Sequence, residues 1–377
     1  MQKREETSLF CSFPALDGVR AISILWVVLF HPPIEMPAWL MPVRMRGVLG
    51  VELFFAISGF LVTRSLFQCV SKTESKLKTV KDFLMRRVSR IFPPYFLVLV
   101  VILMIGFFID SSLWGKLQSI KDTLWAYFFF VSNYVIPGTH GTIPDTLVVT
   151  WSLAFEEQFY LYLLLMFLLL GTRWLYLGII ATGIFSVGMR FYSTFGVSPI
   201  LMKDWQLFLH LRFDALAWAC LSWIFFDELG WLWAHRLRAR IVNAVIVLGM
   251  SFCIVEHHYY AGEVGGAGSL DNSAWEAIIY ALMAPFFSLA VRALCEIRYQ
   301  KSYFVKTLSH PVCAFIGVVS YEIYLIHELI IGLLVRLRLQ SQPLLFGILT
   351  YALSIGGAWI FHRFFSMPTQ KWLRRWA

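Results

Sequence analysis

The residues best suited to chemistry lie in one stretch, Pro14 to His31, PALDGVRAISILWVVLFH, an apolar run that carries Asp17, Arg20 and His31. Eleven positions separate Arg20 from His31. At 3.6 residues per turn that is almost three whole turns, so the two side chains share a helix face about 16 Å apart along the axis. Asp17 lies three residues before Arg20 and can sit beside its guanidinium. Pro32 and Pro33 stop the helix just past the histidine. An imidazole takes or gives a proton near neutrality, and a guanidinium holds anions. Ionisable residues inside an apolar span are functional candidates by default. The structural alternative is a packed helix with a stabilising ion pair and an interfacial histidine.

Five further segments carry polar groups in apolar surroundings. In GVELFFAISGFLVT, Glu52, Ala56, Gly59 and Thr63 form a narrow small-and-polar face suited to close helix approach. Ala56 and Gly59 read as packing, whereas Glu52 is expected to reach His31. In KDFLMRRVSRIFPPYF, Arg86, Arg87 and Arg90 share a side just before Pro93-Pro94, with Tyr95 following. Guanidinium forks match phosphate oxygens, and a lipid-headgroup contact or a topology signal stands as the alternative. In TWSLAFEEQFYLYL, Trp151 and Ser152 precede the adjacent Glu156 and Glu157, which point about 100° apart. An unpaired charge at mid-membrane costs ~2.5–3.5 kcal/mol on insertion scales, so both need a partner, a proton or water. The segment LRFDALAW offers Arg212 and Asp214, and one of the two glutamates is expected to pair with Arg212. In SYEIYLIH, Ser320, Tyr324 and His327 share a face. A lone histidine there is more often a hydrogen-bonded structural residue than a catalyst.

The elements that hold these residues must be membrane helices. Hydrophobic residues make up 59% of the 377-residue chain and charged residues 15%, and mean hydropathy is +0.69; soluble domains carry roughly a quarter charged residues. The reading is an all-α polytopic membrane bundle forming a single domain over 1–377, with about ten spans and no soluble domain. The spans are 14–31, 47–67, 91–109, 149–170, 174–191, 205–226, 241–258, 273–291, 312–335 and 344–365, each near the ~20 residues a crossing needs. The first is read as a retained helix rather than a cleaved signal.

An eleventh apolar stretch, 122–136, is read as re-entrant or interfacial. If it does not cross, most loop Lys and Arg fall on the side of both termini, including Lys72 to Arg90, Arg236, Arg238, Arg240 and the C-terminal Lys371, Arg374 and Arg375. The positive-inside rule then places both termini in the cytoplasm. Arg44, Arg46, Arg190, Arg336 and Arg338 are among the few loop charges left outside. On this topology Glu52, Glu156, Arg212 and His327 lie about 6–12 Å from the outer helix ends, and Arg87 and Arg90 lie at the inner face. The net charge of +9 is thus a topology signal, and no nucleic-acid partner is expected. The six cysteines show no metal-like spacing with histidine, so neither a disulfide framework nor a metal site is expected.

Taken together and in order, LDGVRAISILWVVLFH, GVELFFAISGFL, RRVSRIFPPY, WSLAFEEQFYL, RFDALAW and SYEIYLIH resemble the acyltransferase-3 family of integral membrane acyltransferases, over about Phe13 to Phe365. That family includes bacterial O-acetyltransferases of polysaccharide and O-antigen. The resemblance implies transfer of an acyl group, usually acetyl, from cytoplasmic acetyl-CoA to a hydroxyl of an extracytoplasmic carbohydrate or lipid-linked glycan. It also implies a multi-pass protein of the bacterial inner membrane. Arg20 and His31 match the family's Arg–x10–His pair, needed for activity. Arg87 and Arg90 match its RxxR, thought to contact the donor. Trp218 and Ala219 stand where relatives often have small residues, and Glu322 where relatives vary. The chain is expected to lack the fused extracytoplasmic domain of some members.

On this reading His31 is the general base or an acyl carrier, and Glu52 orients it. Arg20 holds the donor or the oxyanion, and Glu156 completes the catalytic set. Arg86, Arg87, Arg90 and Tyr95 hold the coenzyme. Asp17, Trp151, Glu157, Arg212, Asp214, Tyr324 and His327 are further buried polar candidates. Acyl-CoA is a donor substrate, and no permanently bound cofactor is expected. The rival class is a transporter or flippase of an anionic lipid or metabolite. Its intramembrane charges would look alike, but it should show inverted repeats, and none is detectable.

Overall fold

The computed structural model describes residues 13–139, 143–196, 208–225, 272–295 and 302–376. The expected span 241–258 and the basic trio Arg236, Arg238 and Arg240 lie outside the described residues. Among the described residues every regular element is helical. The long helices are α1 (Pro14–Phe30), α2 (Leu49–Val70), α3 (Lys76–Phe108), α4 (Trp151–Gly196), α5 (Leu209–Trp223) and α6 (Asn272–Leu294). They are followed by α7 (Pro311–Val318), α8 (Ser320–Arg336), α9 (Pro343–Phe361) and α10 (Met367–Leu373).

Among the described residues, five helical stretches are long and apolar enough to cross a bilayer, or six if α7 and α8 count as one broken span. The chain is a multi-pass membrane protein, and this count holds for the described residues alone, which leave out the expected span 241–258 and part of 205–226. Part of the difference from the expected ten is geometric. At 17 residues α1 sits at the lower limit for a crossing, and α4 contains two arms. A straight helix of 46 residues would be about 69 Å long. Instead Gly171 adopts φ 64°, ψ 179°, a conformation essentially reserved for glycine. The chain doubles back there, so the Tyr162 hydroxyl meets that of Thr182 and Gly178 lies against Leu170 and Met166. The arms match the expected spans 149–170 and 174–191.

Two other expectations change. The arginines before Pro93-Pro94 were expected at a helix end, yet α3 runs unbroken from Lys76 to Phe108 with both prolines inside it. Proline removes donors from the ladder, and membrane helices tolerate this when neighbours satisfy nearby carbonyls. Here the Tyr321 hydroxyl donates to the Ile91 carbonyl at 2.9 Å. The expected continuous span 312–335 is instead bent by 69° between α7 and α8. Close packing on α1 accompanies the bend. A Cβ on Gly317 would lie 1.9 Å from the Asp17 carbonyl oxygen, and one on Gly18 would lie 2.1 Å from that of Leu308. Gly317→Ala should therefore overpack a backbone contact and lose about 1–3 kcal/mol. Gly356→Ala, where nothing lies within 4 Å, should be silent. Thermal unfolding of the detergent-purified variants checks the pair, and equal melting points would refute the close contact.

The bundle is centred on α2, which packs on α1, α3, α5 and α6. Gly59 supports the packing reading of its face, because its α-carbon lies against the Leu216 carbonyl and the Ala219 methyl of α5. Segment 122–136 contains only short helical turns. It is pinned by Gln158, whose Nε2 donates to the Phe130 carbonyl at 2.6 Å and to Asn133 Oδ1 at 2.7 Å.

Candidate active site

Helix α1 sets the frame. Arg20 Nη1 donates to Asp17 Oδ1 at 2.7 Å, as their spacing predicts. Eleven residues further on, His31 closes the helix, and its Nδ1 lies 2.8 Å from the Val27 carbonyl. A carbonyl only accepts, so Nδ1 carries the proton and the neutral ring keeps its lone pair on Nε2. The turn after His31 is held by Arg44, which donates to the carbonyls of Pro32 and Ile34. An arginine assigned to an outer loop thus fixes the backbone beside the histidine.

His31 does not meet Glu52. Its Nε2 lies 3.6 Å from Oε1 of Glu328, and its ring packs edge-on against His327, with centroids 4.9 Å apart. His327 is fully buried, and its Nδ1 sits 2.7 Å from the Tyr324 carbonyl. By the same rule its Nε2 also keeps a lone pair. That nitrogen has no hydrogen-bond partner and lies 3.9 Å from Glu328 Oε1. The sequence reading missed Glu328. Its only local signal is its place beside His327, and nothing in the sequence brings either next to His31.

Glu52 is committed elsewhere. It forms a buried ion pair with Arg212, both side chains 1% exposed. The Arg212 guanidinium also lies over the rings of Tyr280 (4.5 Å), Trp151 (5.5 Å) and Phe55 (5.7 Å). Two expectations are corrected here: Glu52 does not orient His31, and Arg212 is not the partner of Glu156 or Glu157. The reason is helix choice, since α2 and α5 pack face to face and bring their own charges together. Trp151 is a wall of this cation cage. Asp214 pairs with Arg190 and accepts from Ser186 at 3.3 Å. Arg190, expected in an outer loop, is buried at 1% exposure.

The paired glutamates join the arginines instead. Arg20, Arg87, Arg90, Glu156, Glu157 and Tyr160 line one cavity of about 90 Å³, with Ser152, Tyr321 and Tyr324 further along its wall. Glu156 accepts from the Tyr160 hydroxyl at 2.7 Å, and Arg87 stacks over the Tyr160 ring at 5.4 Å. The expected separation in depth between Glu156 and the arginines is therefore wrong. The first turns of α4 place Glu156 and Tyr160 beside Arg87 of α3.

A second opening of about 300 Å³ shares Arg20, Arg90 and Tyr321 with the first and adds Asp17, Glu322, His362, Gln370 and Arg374. Glu322 is held by His362 Nδ1 at 2.8 Å, in a π-helical turn over His362–Ser366. Partial burial, and then the charges of Arg86 and Arg90, lower the pKa of Arg374. Such convergence of guanidiniums suits an anion. At the other end Tyr324 donates to the Val149 carbonyl at 2.8 Å and accepts from Ser152 at 2.7 Å, and its ring lies 5.7 Å from that of His327. The two cavities thus run from Arg374 past Arg90, Arg20 and Arg87 to Tyr324, one helical turn from His327. Tyr95 is off this route. Its hydroxyl donates to the Tyr127 carbonyl at 2.8 Å and anchors segment 122–136.

A helical membrane bundle with a basic mouth and, beyond Tyr324, a half-buried and a buried imidazole beside a carboxylate has the parts a membrane group-transfer enzyme needs. A family model described as an acyltransferase domain matches residues 13–363. The chain belongs to this acyltransferase-3 family. It is 27% identical over 379 residues to a peptidoglycan O-acetyltransferase, OatA, of Listeria monocytogenes, covering 95% of this chain and 56% of the relative. A putative O-acetyltransferase of Staphylococcus aureus strain COL is 27% identical over 382 residues, with 95% and 57% covered. The O-acetyltransferase OatA of S. aureus strain NCTC 8325 is 26% identical over 377 residues, with 95% and 57% covered. The chain thus spans a little over half the length of these curated relatives. No solved structure matches it.

Proposed function

We propose that this chain is a membrane O-acetyltransferase that moves an acetyl group from acetyl-CoA, bound at the basic mouth, to a hydroxyl of a cell-envelope glycan at the histidine end. The single observation that carries this reading is the pair of adjoining cavities that share Arg20 and Arg90 and run from Arg374 to Tyr324, whose ring neighbours His327 and, through it, His31. The basic mouth faces the cytoplasm, with both termini on that side, where acetyl-CoA is made. Family membership and the names of the relatives support O-acetyl transfer to a glycan.

In the proposed reaction, His31 Nε2 takes the proton of the acceptor hydroxyl as its oxygen attacks the thioester carbonyl. The new C–O bond forms, the C–S bond breaks, and the proton leaves with the coenzyme thiolate. Glu328 balances the charge on the imidazolium. Arg20 and Arg87 stabilise the oxyanion or the bound donor, while Arg90, Arg86 and Arg374 hold its phosphates. The alternative in which His31 Nε2 itself carries the acetyl group uses the same lone pair. Mass spectrometry of the quenched enzyme separates the two, since only the second leaves an acetyl group on His31.

The function is tested by mass spectrometry of envelope glycans from cells with and without the protein. Loss of an O-acetyl group is expected, and an unchanged glycan profile would overturn the reading. The donor site is tested separately. Arg90→Ala should weaken acetyl-CoA binding to the detergent-purified protein, and binding to wild type should weaken with added salt because screening acts on phosphate contacts. Unchanged affinity would leave these arginines as topology determinants. A transporter finds less support, because the chain belongs to an acyltransferase family over residues 13–363.

A further inference from the structure

We infer that His31, His327 and Glu328 form a three-ligand site for a divalent transition-metal ion of the zinc class, and that the ion, by occupying Nε2 of His31, silences the enzyme. The inference rests on the reading of His31 as base or acyl carrier. The ligand atoms of the three residues all lie within 4.8 Å of one another. Glu328 Oε1 is 3.6 Å from His31 Nε2 and 3.9 Å from His327 Nε2. Tetrahedral zinc with N and O ligands at 2.0–2.2 Å sets ligand atoms about 3.4 Å apart, so the two Glu328 distances need to close by less than 1 Å and the widest separation in the cluster by about 1.4 Å.

The chemistry of the donor set fits as well. Each imidazole gives Nδ1–H to a backbone carbonyl, of Val27 and of Tyr324. This is the second-shell arrangement that fixes the ring and leaves Nε2 as ligand. His327 Nε2 is an orphaned buried polar atom on a side chain with no exposed surface, and a ligand would satisfy it. The carboxylate supplies one negative charge. Of the other charges near His31, Asp145 and Arg44 oppose each other. His31 is 24% exposed, which gives an ion a way in, and three protein ligands leave a fourth position open.

A metal and a proton compete for the same lone pair on His31. While the ion is bound, that nitrogen can neither take the proton of the acceptor nor carry an acetyl group.

The test uses the full chain purified in detergent without chelator. Cobalt(II), a spectroscopic stand-in for zinc, should bind at one equivalent with the visible absorption of a tetrahedral N/O site, and zinc should displace it. His327→Gln and Glu328→Gln should each weaken binding by at least the ~10–100-fold that loss of a mere second-shell partner costs. Zinc should inhibit acetyl transfer by wild type at the concentration at which it displaces cobalt, and a chelator should restore it. No stoichiometric binding by wild type, or binding untouched in both variants, overturns the site. If zinc does not bind while His31→Ala still abolishes transfer, the metal site falls and the base stands. If zinc binds without inhibiting, the silencing role falls. If chelation abolishes transfer and zinc restores it, both the silencing role and the assignment of His31 as free base fall. The wild-type titration needs no variant, so misfolding of a substitution leaves it decisive.

Discussion

His31→Ala is expected to insert, fold and bind acetyl-CoA, and to transfer no measurable acetyl group in a cell assay. A general base contributes typically ~10²–10⁴-fold. The prediction rests on tautomer geometry: Nδ1 is committed to Val27, so Nε2 is the atom that meets the acceptor. The side chain is the most exposed of the three clustered groups, at 24% against 8% for Glu328 and none for His327. It is thus the one an acceptor reaches. His327→Ala made alongside should cost less in transfer, because its nitrogen is fully enclosed. Its cost in stability should be greater, because it leaves a cavity in a fully buried site. Transfer assays normalised to folded protein, with acetyl-CoA binding as control, decide the matter. A His31→Ala protein that keeps most of its transfer activity, or a His327→Ala protein that alone loses it, would reverse the assignment.

The second large effect is on stability. Arg212→Met should destabilise the bundle by about 3–5 kcal/mol, the cost of leaving one charge of a buried pair uncompensated. Glu52 is that charge, at 1% exposure. Replacing both, Glu52→Leu with Arg212→Met, should recover most of the loss, since apolar residues of similar volume often serve as well as a buried pair. Denaturant or thermal unfolding in detergent measures the cycle. A double variant no more stable than Arg212→Met would show that the aromatic cage of Tyr280, Trp151 and Phe55 stabilises more than the pair itself. Transfer activity gives a second readout. If Glu52 is structural, activity per folded molecule should survive in the double variant, whereas a role for Glu52 at His31 would abolish it.

The sequence alone was enough for whatever one helix or one span decides. Composition and apolar run length dictate a membrane bundle, because charged groups cannot be left in hydrocarbon. The Arg20–His31 face and the Asp17–Arg20 pair follow from helix periodicity, which is local and fixed. The family was legible from six motifs in order. The partners of buried charges were not legible, because pairing depends on which helices face each other. Glu52 meets Arg212 across 160 residues of chain, and Arg190 and Asp214 meet only because the second arm of α4 lies along α5. Helix boundaries at prolines and glycines were misjudged for a related reason. Tyr321 supports α3 beside Pro93 and Pro94, and the contact of Gly317 with Asp17 accompanies the bend before α8. The cluster of His31, His327 and Glu328 is the sharpest case. Its members come from opposite ends of the chain, and spacing rules for metal or catalytic groups act only within one element. Tertiary packing of α8 beside the end of α1 is what turns two histidines and an unremarked glutamate into one site.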